Sequence, residues 1–309
     1  MNSKDEFKHF CDRNQTTLFG SFWWWENVVK DSWDVLLYKK GEEVLACLPY
    51  HYKYKAGLKA IIPPMLTPYQ SISYALPADG KVDKQISFVR KAQEYLIDQV
   101  PKNSLFLRQF NCTEQYLLPF YWNDYELKVR YTYLLNTSIS ENDLFNNLKD
   151  SLRREIKKAK AVGVLSKANT IDTLYELKQQ NSDKYNEPLS YSKEYLDRIG
   201  QLIKIKQASI QEVKIENTVI ASLLVCWDHQ QVYYTCGAVA PDFRNSGALS
   251  WLLWEAILLA KSLNLTFNFE GSMIKQIERY FASFGGTPTP FFEVKRVNSK
   301  LLKPLLNKI

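Results

Sequence analysis

The stretch VYYTCGAVAPDFRNSGALSWLLWEAILLA, Val232–Ala260, decides how this chain of 309 residues is read. Its opening residues, rich in Val, Tyr, Thr and Cys, predict a strand. A polar loop holding Pro241, Asp242, Arg244, Asn245, Ser246 and Gly247 follows. From Ala248 on, the sequence is apolar on nearly every side of a helix, so that helix must be buried. A buried helix still carries unpaired N–H groups in its first turn, and its dipole places about half a unit of positive charge there. Gly247 lets a ligand approach the backbone closely, and Arg244 adds a forked donor suited to phosphate oxygens. The expected anion-binding turn is therefore Arg244, Asn245, Ser246, Gly247, Ala248 and Leu249. A plain helix cap uses the same residue types and remains open.

Working outward, the strands SIQEVKIEN and VIASLLVCW precede this stretch; a strand (LTFNFEG), a short helix (IKQIERYFASF) and a strand (FFEVKRV) follow it. The first half has a matching order: a helical segment at 22 to 30, the strands WDVLLYKK, EVLACLPYHYKYK and GLKAIIP, and the loop PPMLTPYQSISYA. An amphipathic helix at VDKQISFVRKAQEYLIDQV, a strand, a short helix at TEQYLLPFYW and a last strand complete it. KKGEEVLA at 39 to 46 even resembles KIENTVIA at 214 to 221. Shared order over halves of like length predicts a duplicated α/β fold with mixed sheets, divided into domains at 1–138 and 139–309, where strand pattern gives way to the capping sequence NTSISEND. Helices are expected around 141–162, 171–185 and 192–206.

RNSGALSWLLWEAILLAKSLNLTFNFEGS, followed by IERYFASFGG, resembles the FemAB-like branch of the GNAT acyltransferase superfamily, in which two GNAT-type domains occur in tandem. The resemblance is densest over about 230 to 296. It implies transfer of an acyl group from acyl-CoA, such as acetyl-CoA, to a small-molecule or peptide amine held in an inter-domain cleft; aminoacyl-tRNA is the alternative donor. No heptad-patterned helical arm of the kind found in the aminoacyl-tRNA users is present, which favours acyl-CoA. The sequence departs from the superfamily at two positions. Leu249 stands where the phosphate loop, R/Q-x-x-G-x-G/A, has a second small residue, and Phe281 stands where many members carry a tyrosine that protonates the leaving thiolate. Tyr280 lies about 100° around the helix from it and is not expected to substitute.

Glu270 ends the strand LTFNFEG and is the candidate general base, with capping of the next helix as the bland alternative. Tyr69 and Gln70, in a Pro-bounded loop, and Trp25, in the run Trp23 to Trp25, are candidate acceptor contacts. Arg153 belongs to a basic cluster with Arg154, Lys157, Lys158 and Lys160; a solvated helix C-terminus is the default for such a cluster, and contact with donor or acceptor is the functional reading.

Hydrophobic residues at 46% and charged residues at 24% provide for a full core and exclude wholesale disorder. The net charge of +7 favours anionic partners. It also keeps open a non-catalytic module that binds RNA or another anionic polymer. Five cysteines without a C-x-x-C pair, no signal-like stretch and no span of about 20 apolar residues lead to the expectation of a reduced, cytoplasmic protein. Three scattered histidines give a zinc site no support.

Overall fold

The computed structural model describes residues 2–76 and 80–299 together with Lys303. The helices are α1 (Ser3–Arg13), α2 (Val82–Asp98), α3 (Leu118–Trp122), α4 (Glu141–Asn146), α5 (Asp150–Val162), α6 (Asp172–Tyr185), α7 (Lys193–Gly200), α8 (Ala248–Ser262) and α9 (Lys275–Ala282). The strands of the first half are β1 (Trp33–Lys40), β2 (Glu43–Lys55), β3 (Leu58–Ile61), β4 (Ser73–Tyr74), β5 (Leu105–Gln109) and β6 (Glu126–Leu135). Those of the second half are β7 (Val164–Ala168), β8 (Ala208–Ile215), β9 (Thr218–Trp227), β10 (Gln231–Val239), β11 (Thr266–Asn268) and β12 (Thr287–Val297).

Two compact units result: Met1–Arg130 with Pro290–Ile309, and Tyr131–Thr289. The expected division at 138/139 differs from this because β6 is one unbroken strand that carries the chain past residue 131, so the turn sequence NTSISEND lies inside the second unit. Each unit has the same strand plan. In the first, β1, β2 and β3 are antiparallel, β5 lies parallel to β3, and β12 closes antiparallel to β5. In the second, β8, β9 and β10 are antiparallel, β11 lies parallel to β10, and β6 closes antiparallel to β11. The closing strands are exchanged between the halves of the sequence, since β6 follows α3 and β12 follows α9. The fold is mixed α/β, with parallel and antiparallel pairs in both units.

The second unit's core is built by α5 and α8 against the sheet. Leu144, Leu148, Leu152, Ile156 and Ala159 form the expected stripe, and Leu252, Leu253, Ala256 and Ile257 of α8 are inaccessible to solvent. The helix expected over 141–162 is two helices. Asn146 and Asn147 are poor helix formers, and the Lys149 N–H donates to the Ser283 carbonyl at 2.9 Å instead of continuing the first helix.

Candidate active site

β10 and β11 pair over only three positions, Gln231 with Thr266, Val232 with Phe267 and Tyr233 with Asn268. β10 then runs on to Val239 while β11 stops, so the sheet opens where the two part. A bulge adds to the opening: Tyr234 faces Val225 and Cys236 faces Leu224, leaving Thr235 unmatched in the register. Within this gap lies a cavity of about 880 Å³. Tyr234, Thr235 and Gly237 form its β10 wall, Arg244, Asn245, Gly247, Leu249 and Ser250 its mouth, and Phe269 and Glu270 its β11 wall. Glu155 of α5, Lys178 of α6, and Ile277, Tyr280 and Phe281 of α9 are also in its lining.

At the start of α8, the loop both caps the helix and leaves N–H groups turned to the cavity. Ser246 Oγ accepts from the Ala248 N–H at 3.2 Å, and the Ser246 N–H donates to the Phe243 carbonyl at 2.9 Å. The N–H groups of Gly247, Leu249 and Ser250 have no acceptor among the described residues. Gly247 is required for two reasons: its φ of +77° is left-handed, and a Cβ there would lie 2.6 Å from the Glu155 carbonyl oxygen. Arg244 is exposed, and its guanidinium sits 5.1 Å over the Tyr185 ring. Of the six expected anion contacts, Arg244, Asn245, Gly247 and Leu249 line the cavity; Ser246 and Ala248 build the turn behind them.

At the inner end, Glu270 leaves β11 with φ +57° and Gly271 follows with φ +68°. A non-glycine residue held in the left-handed region is strained, and such strain persists only where the surroundings enforce it. Here the Glu270 N–H donates to Asn268 Oδ1 at 2.8 Å, and buried Asn268 is itself fixed by Thr132 and Gln231, each at 2.7 Å. The Glu270 carboxyl caps nothing: α9 begins at Lys275 without a side-chain cap, and the Ile274 N–H is taken by Ser272 Oγ. Its Oε1 is shut off from solvent and has no hydrogen-bond partner among the described residues. Burial raises its pKa well above the ordinary carboxylate value.

Tyr280 was set aside in the sequence, yet it faces the cavity beside Phe281. Ile277, Tyr280 and Phe281 are three and four residues apart and share one helix face, which is wide enough for both aromatic rings. The Tyr280 hydroxyl is 3.0 Å from Ser250 Oγ, which donates to Glu155 Oε2 at 3.3 Å. Burial holds the phenol well above its ordinary pKa, so it carries its proton at neutral pH. Only the side-chain direction of these three groups was hidden in the sequence; the i, i+3, i+4 spacing was its trace.

The other expected contacts are placed elsewhere. Trp25 is fully buried in the first unit with its indole N–H on the Phe19 carbonyl at 2.9 Å. Tyr69 packs its ring against Phe19 and Phe291, and Gln70 is buried, bonded to Thr67 and to the Gln109 N–H. All three thus have packing roles in the first unit. Arg153 pairs with Asp150 at 2.5 Å and with the Asn146 carbonyl at 3.0 Å, outside the cavity wall. Among the described residues no group of three or more His, Cys, Asp or Glu is arranged to hold a metal ion, and no helix is long and apolar enough to cross a membrane.

Residues 146–271 match the acetyltransferase (GNAT) domain family, a span that runs from the end of α4 to Gly271 and contains both ends of the cavity. No curated protein matches the sequence. Among solved structures, FemX superposes with a TM-score of 0.68 over 99% of this chain and 98% of its own, at 12% identity. The C-terminal domain of a putative lysylphosphatidylglycerol synthetase from Agrobacterium fabrum gives 0.59 over 99% and 95%, at 9% identity. A tandem GNAT protein from the clavulanic acid biosynthesis pathway gives 0.53 over 95% and 93%, at 7% identity. The domain match covers the open strand pair and the loop before α8, so the second half of the chain holds a GNAT-type acetyltransferase domain, within a fold shared over nearly the whole chain with FemX and the tandem GNAT protein.

Proposed function

We infer that the chain is an N-acyltransferase that takes its acyl group from acyl-CoA, acetyl-CoA being the simplest case, and passes it to an amine. The observation that carries this is the start of α8, where three backbone N–H groups without acceptors among the described residues and Arg244 border a cavity of about 880 Å³ that Glu270, with its unpartnered carboxyl oxygen, also lines. An elongated donor with phosphates at one end and a reactive carbonyl at the other fits that polarity. The free N–H groups of Gly247, Leu249 and Ser250 meet the phosphates with Asn245 beside them, and Ser246 and Ala248 keep the turn in place.

Positioning is the main source of rate, because holding amine and thioester together removes most of the entropy cost of their encounter. Glu270 accepts the ammonium proton of the acceptor. Its raised pKa makes the ionised carboxylate a stronger base, so transfer rises with pH through that pKa. Tyr280, protonated and joined to Ser250 and Glu155, is the proton source that Phe281 cannot be. One observation favours a second donor class: the solvent-shielded Glu270 oxygen would also suit the α-ammonium of an aminoacyl group, as carried by aminoacyl-tRNA. Calorimetric titration with acetyl-CoA, with CoA and with aminoacyl-tRNA decides between them. Binding of none of the three overturns the transferase reading and leaves the module for anionic polymers.

A further inference from the structure

The cavity wall holds a hydroxyl that neither the loop before α8 nor Glu270 engages. Tyr234 is the first residue of β10 beyond its last pair with β11, as Phe269 and Glu270 are the first beyond Asn268. Tyr234 and Glu270 therefore stand on the two strands where these part, and both line the cavity. The Tyr234 ring packs edge-on against Phe281, with centroids 5.9 Å apart. Its hydroxyl lies over Gly237, where a Cβ would come within 3.1 Å of it and within 2.9 Å of Leu249 Cδ1. Glycine at 237 thus leaves the phenol and Leu249 their places.

Four other hydroxyls of the lining are engaged within the protein. Ser250 donates to Glu155 and meets Tyr280, Ser272 accepts from the Ile274 N–H, and Thr235 donates to the Tyr233 carbonyl at 3.5 Å. Tyr185 stands beneath Arg244 by the loop before α8. The half-buried Tyr234 hydroxyl has no hydrogen-bond partner among the described residues. A phenol withdrawn from bulk water loses hydrogen-bond energy unless a bound molecule supplies an acceptor. Burial holds its pKa above the ordinary value, with Tyr280 and Glu270 adding to the effect from within electrostatic range, so it carries its proton at neutral pH.

An amine whose proton passes to Glu270 must sit beside that carboxyl, and the carbonyl carbon it attacks must lie about 3 to 3.5 Å from the nitrogen. The thioester carbonyl is then held at the parting of the strands, against β10. We propose that the Tyr234 hydroxyl donates to that carbonyl oxygen, which makes Tyr234 a further catalytic residue that stabilises the oxyanion. The C–N bond forms as the carbonyl electrons move onto oxygen. The C–S bond then breaks, the thiolate takes a proton from Tyr280, and the proton released by the new amide nitrogen replaces it. Tyr234 keeps its own proton throughout.

The proposal rests on the acyl-CoA reading, and one experiment separates the two. Acetyl-CoA, isotope-labelled at the carbonyl carbon and bound to the full chain, reports the contact by difference infrared spectroscopy, because a hydrogen bond lowers the carbonyl stretching frequency. The expected result is a lower frequency on the natural protein than on Tyr234→Phe, which keeps the ring against Phe281. Gly237→Ala, which crowds the hydroxyl from its place, should raise the frequency in the same direction, whereas Tyr280→Phe should leave it unchanged. Losing one neutral hydrogen bond should weaken acetyl-CoA by no more than about tenfold in calorimetry, so the variants still bind it. Equal frequencies on the natural protein, Tyr234→Phe and Gly237→Ala, with acetyl-CoA bound to each, overturn the role of Tyr234 and leave the donor reading standing. Failure of the natural protein to bind acetyl-CoA overturns the donor reading and this proposal with it.

Discussion

The two parallel strand pairs, β3 with β5 and β10 with β11, begin alike and end differently. Ile61 faces Phe106 as Val232 faces Phe267, so Gln109 stands in the first unit where Glu270 stands in the second. After Ile61 the chain turns back and fills its own gap. The Gln70 N–H donates to the Gln109 carbonyl at 2.7 Å, Gln70 Oε1 accepts from the Gln109 N–H at 3.2 Å, and Ser71 Oγ accepts from the Asn111 N–H at 2.8 Å. Arg108, buried, donates to the Pro49 and Gln70 carbonyls. β10 instead runs six residues past its last pair with β11, to Val239, and its loop leads through a short turn at Pro241–Phe243 into α8. One plan therefore yields a plugged slot and an open one, and the difference lies in the loop after the third antiparallel strand: PPMLTPYQS in one, PDFRNSG in the other.

The largest expected effect is on the loop that keeps the second slot open. Gly247→Val places a branched Cβ against the Glu155 carbonyl, at 2.6 Å, in a left-handed backbone, and should cost about 3 kcal/mol or more. The sequence alone assigned this glycine to ligand approach; the structure assigns it first to packing against α5. Thermal unfolding should show loss of the fold before any donor affinity can be read. Arg244→Ala is the cleaner probe, since the side chain is exposed. Losing one charge-assisted contact should weaken the donor by about tenfold to a hundredfold in calorimetry, with melting unchanged. Gln70→Ala is the matching change in the plugged slot. It removes partners from buried backbone groups and should cost about 2 kcal/mol of stability while leaving donor affinity as it was. If Gln70→Ala instead altered donor binding, the slots would not differ in the way described.

Much of this was legible in the sequence because it depends on local pattern. The apolar run after Gly247 required a buried helix, and the order of strands and helices repeated. The exchange of β6 and β12 was not legible, since strand pairing at long range leaves no local mark. β7 was missed because VLSKA is short and mostly half-exposed, without a clean alternation. Tyr69 and Gln70 look like contact residues of a Pro-bounded loop and Trp25 like one of a tryptophan run; only tertiary packing shows Gln70 bonded across the first unit's gap to Gln109, and Trp25 and Tyr69 buried in the core.

Glu270→Gln makes the second slot resemble the first at the position of Gln109, and its effect should depend on pH. The folded state raises the Glu270 pKa, so between the ordinary carboxyl value and the raised one it binds more protons than the unfolded chain. Stability of the natural protein then falls as pH rises across that window, while the amide does not titrate. Melting temperatures of the two proteins should agree near pH 4 and separate above it, with the glutamine variant higher. Equal separation at every pH would mean that the carboxyl is solvated. Transfer activity should be lost in the variant if Glu270 is the base.

Glu155→Gln should have the smallest effect and the most informative sign. Glu155 lines the cavity beside the first turn of α8, where its carboxylate accepts from Ser250 Oγ, so it supplies negative charge at a helix N-terminus that has unfilled N–H groups. A donor phosphate in the same cradle would meet that carboxylate at short range. Through a partly solvated path the repulsion is about 1 kcal/mol, so the neutral glutamine should tighten the donor about fivefold, more at low salt than at high. The free protein should become slightly less stable, because α8 loses its resident anion. Weaker donor binding in Glu155→Gln would instead mean that the carboxylate orders Ser250 and Tyr280 for the donor. Unchanged affinity at low salt would move the phosphates away from α8 altogether, and the open slot would then be an entrance for the acyl end rather than for the whole donor.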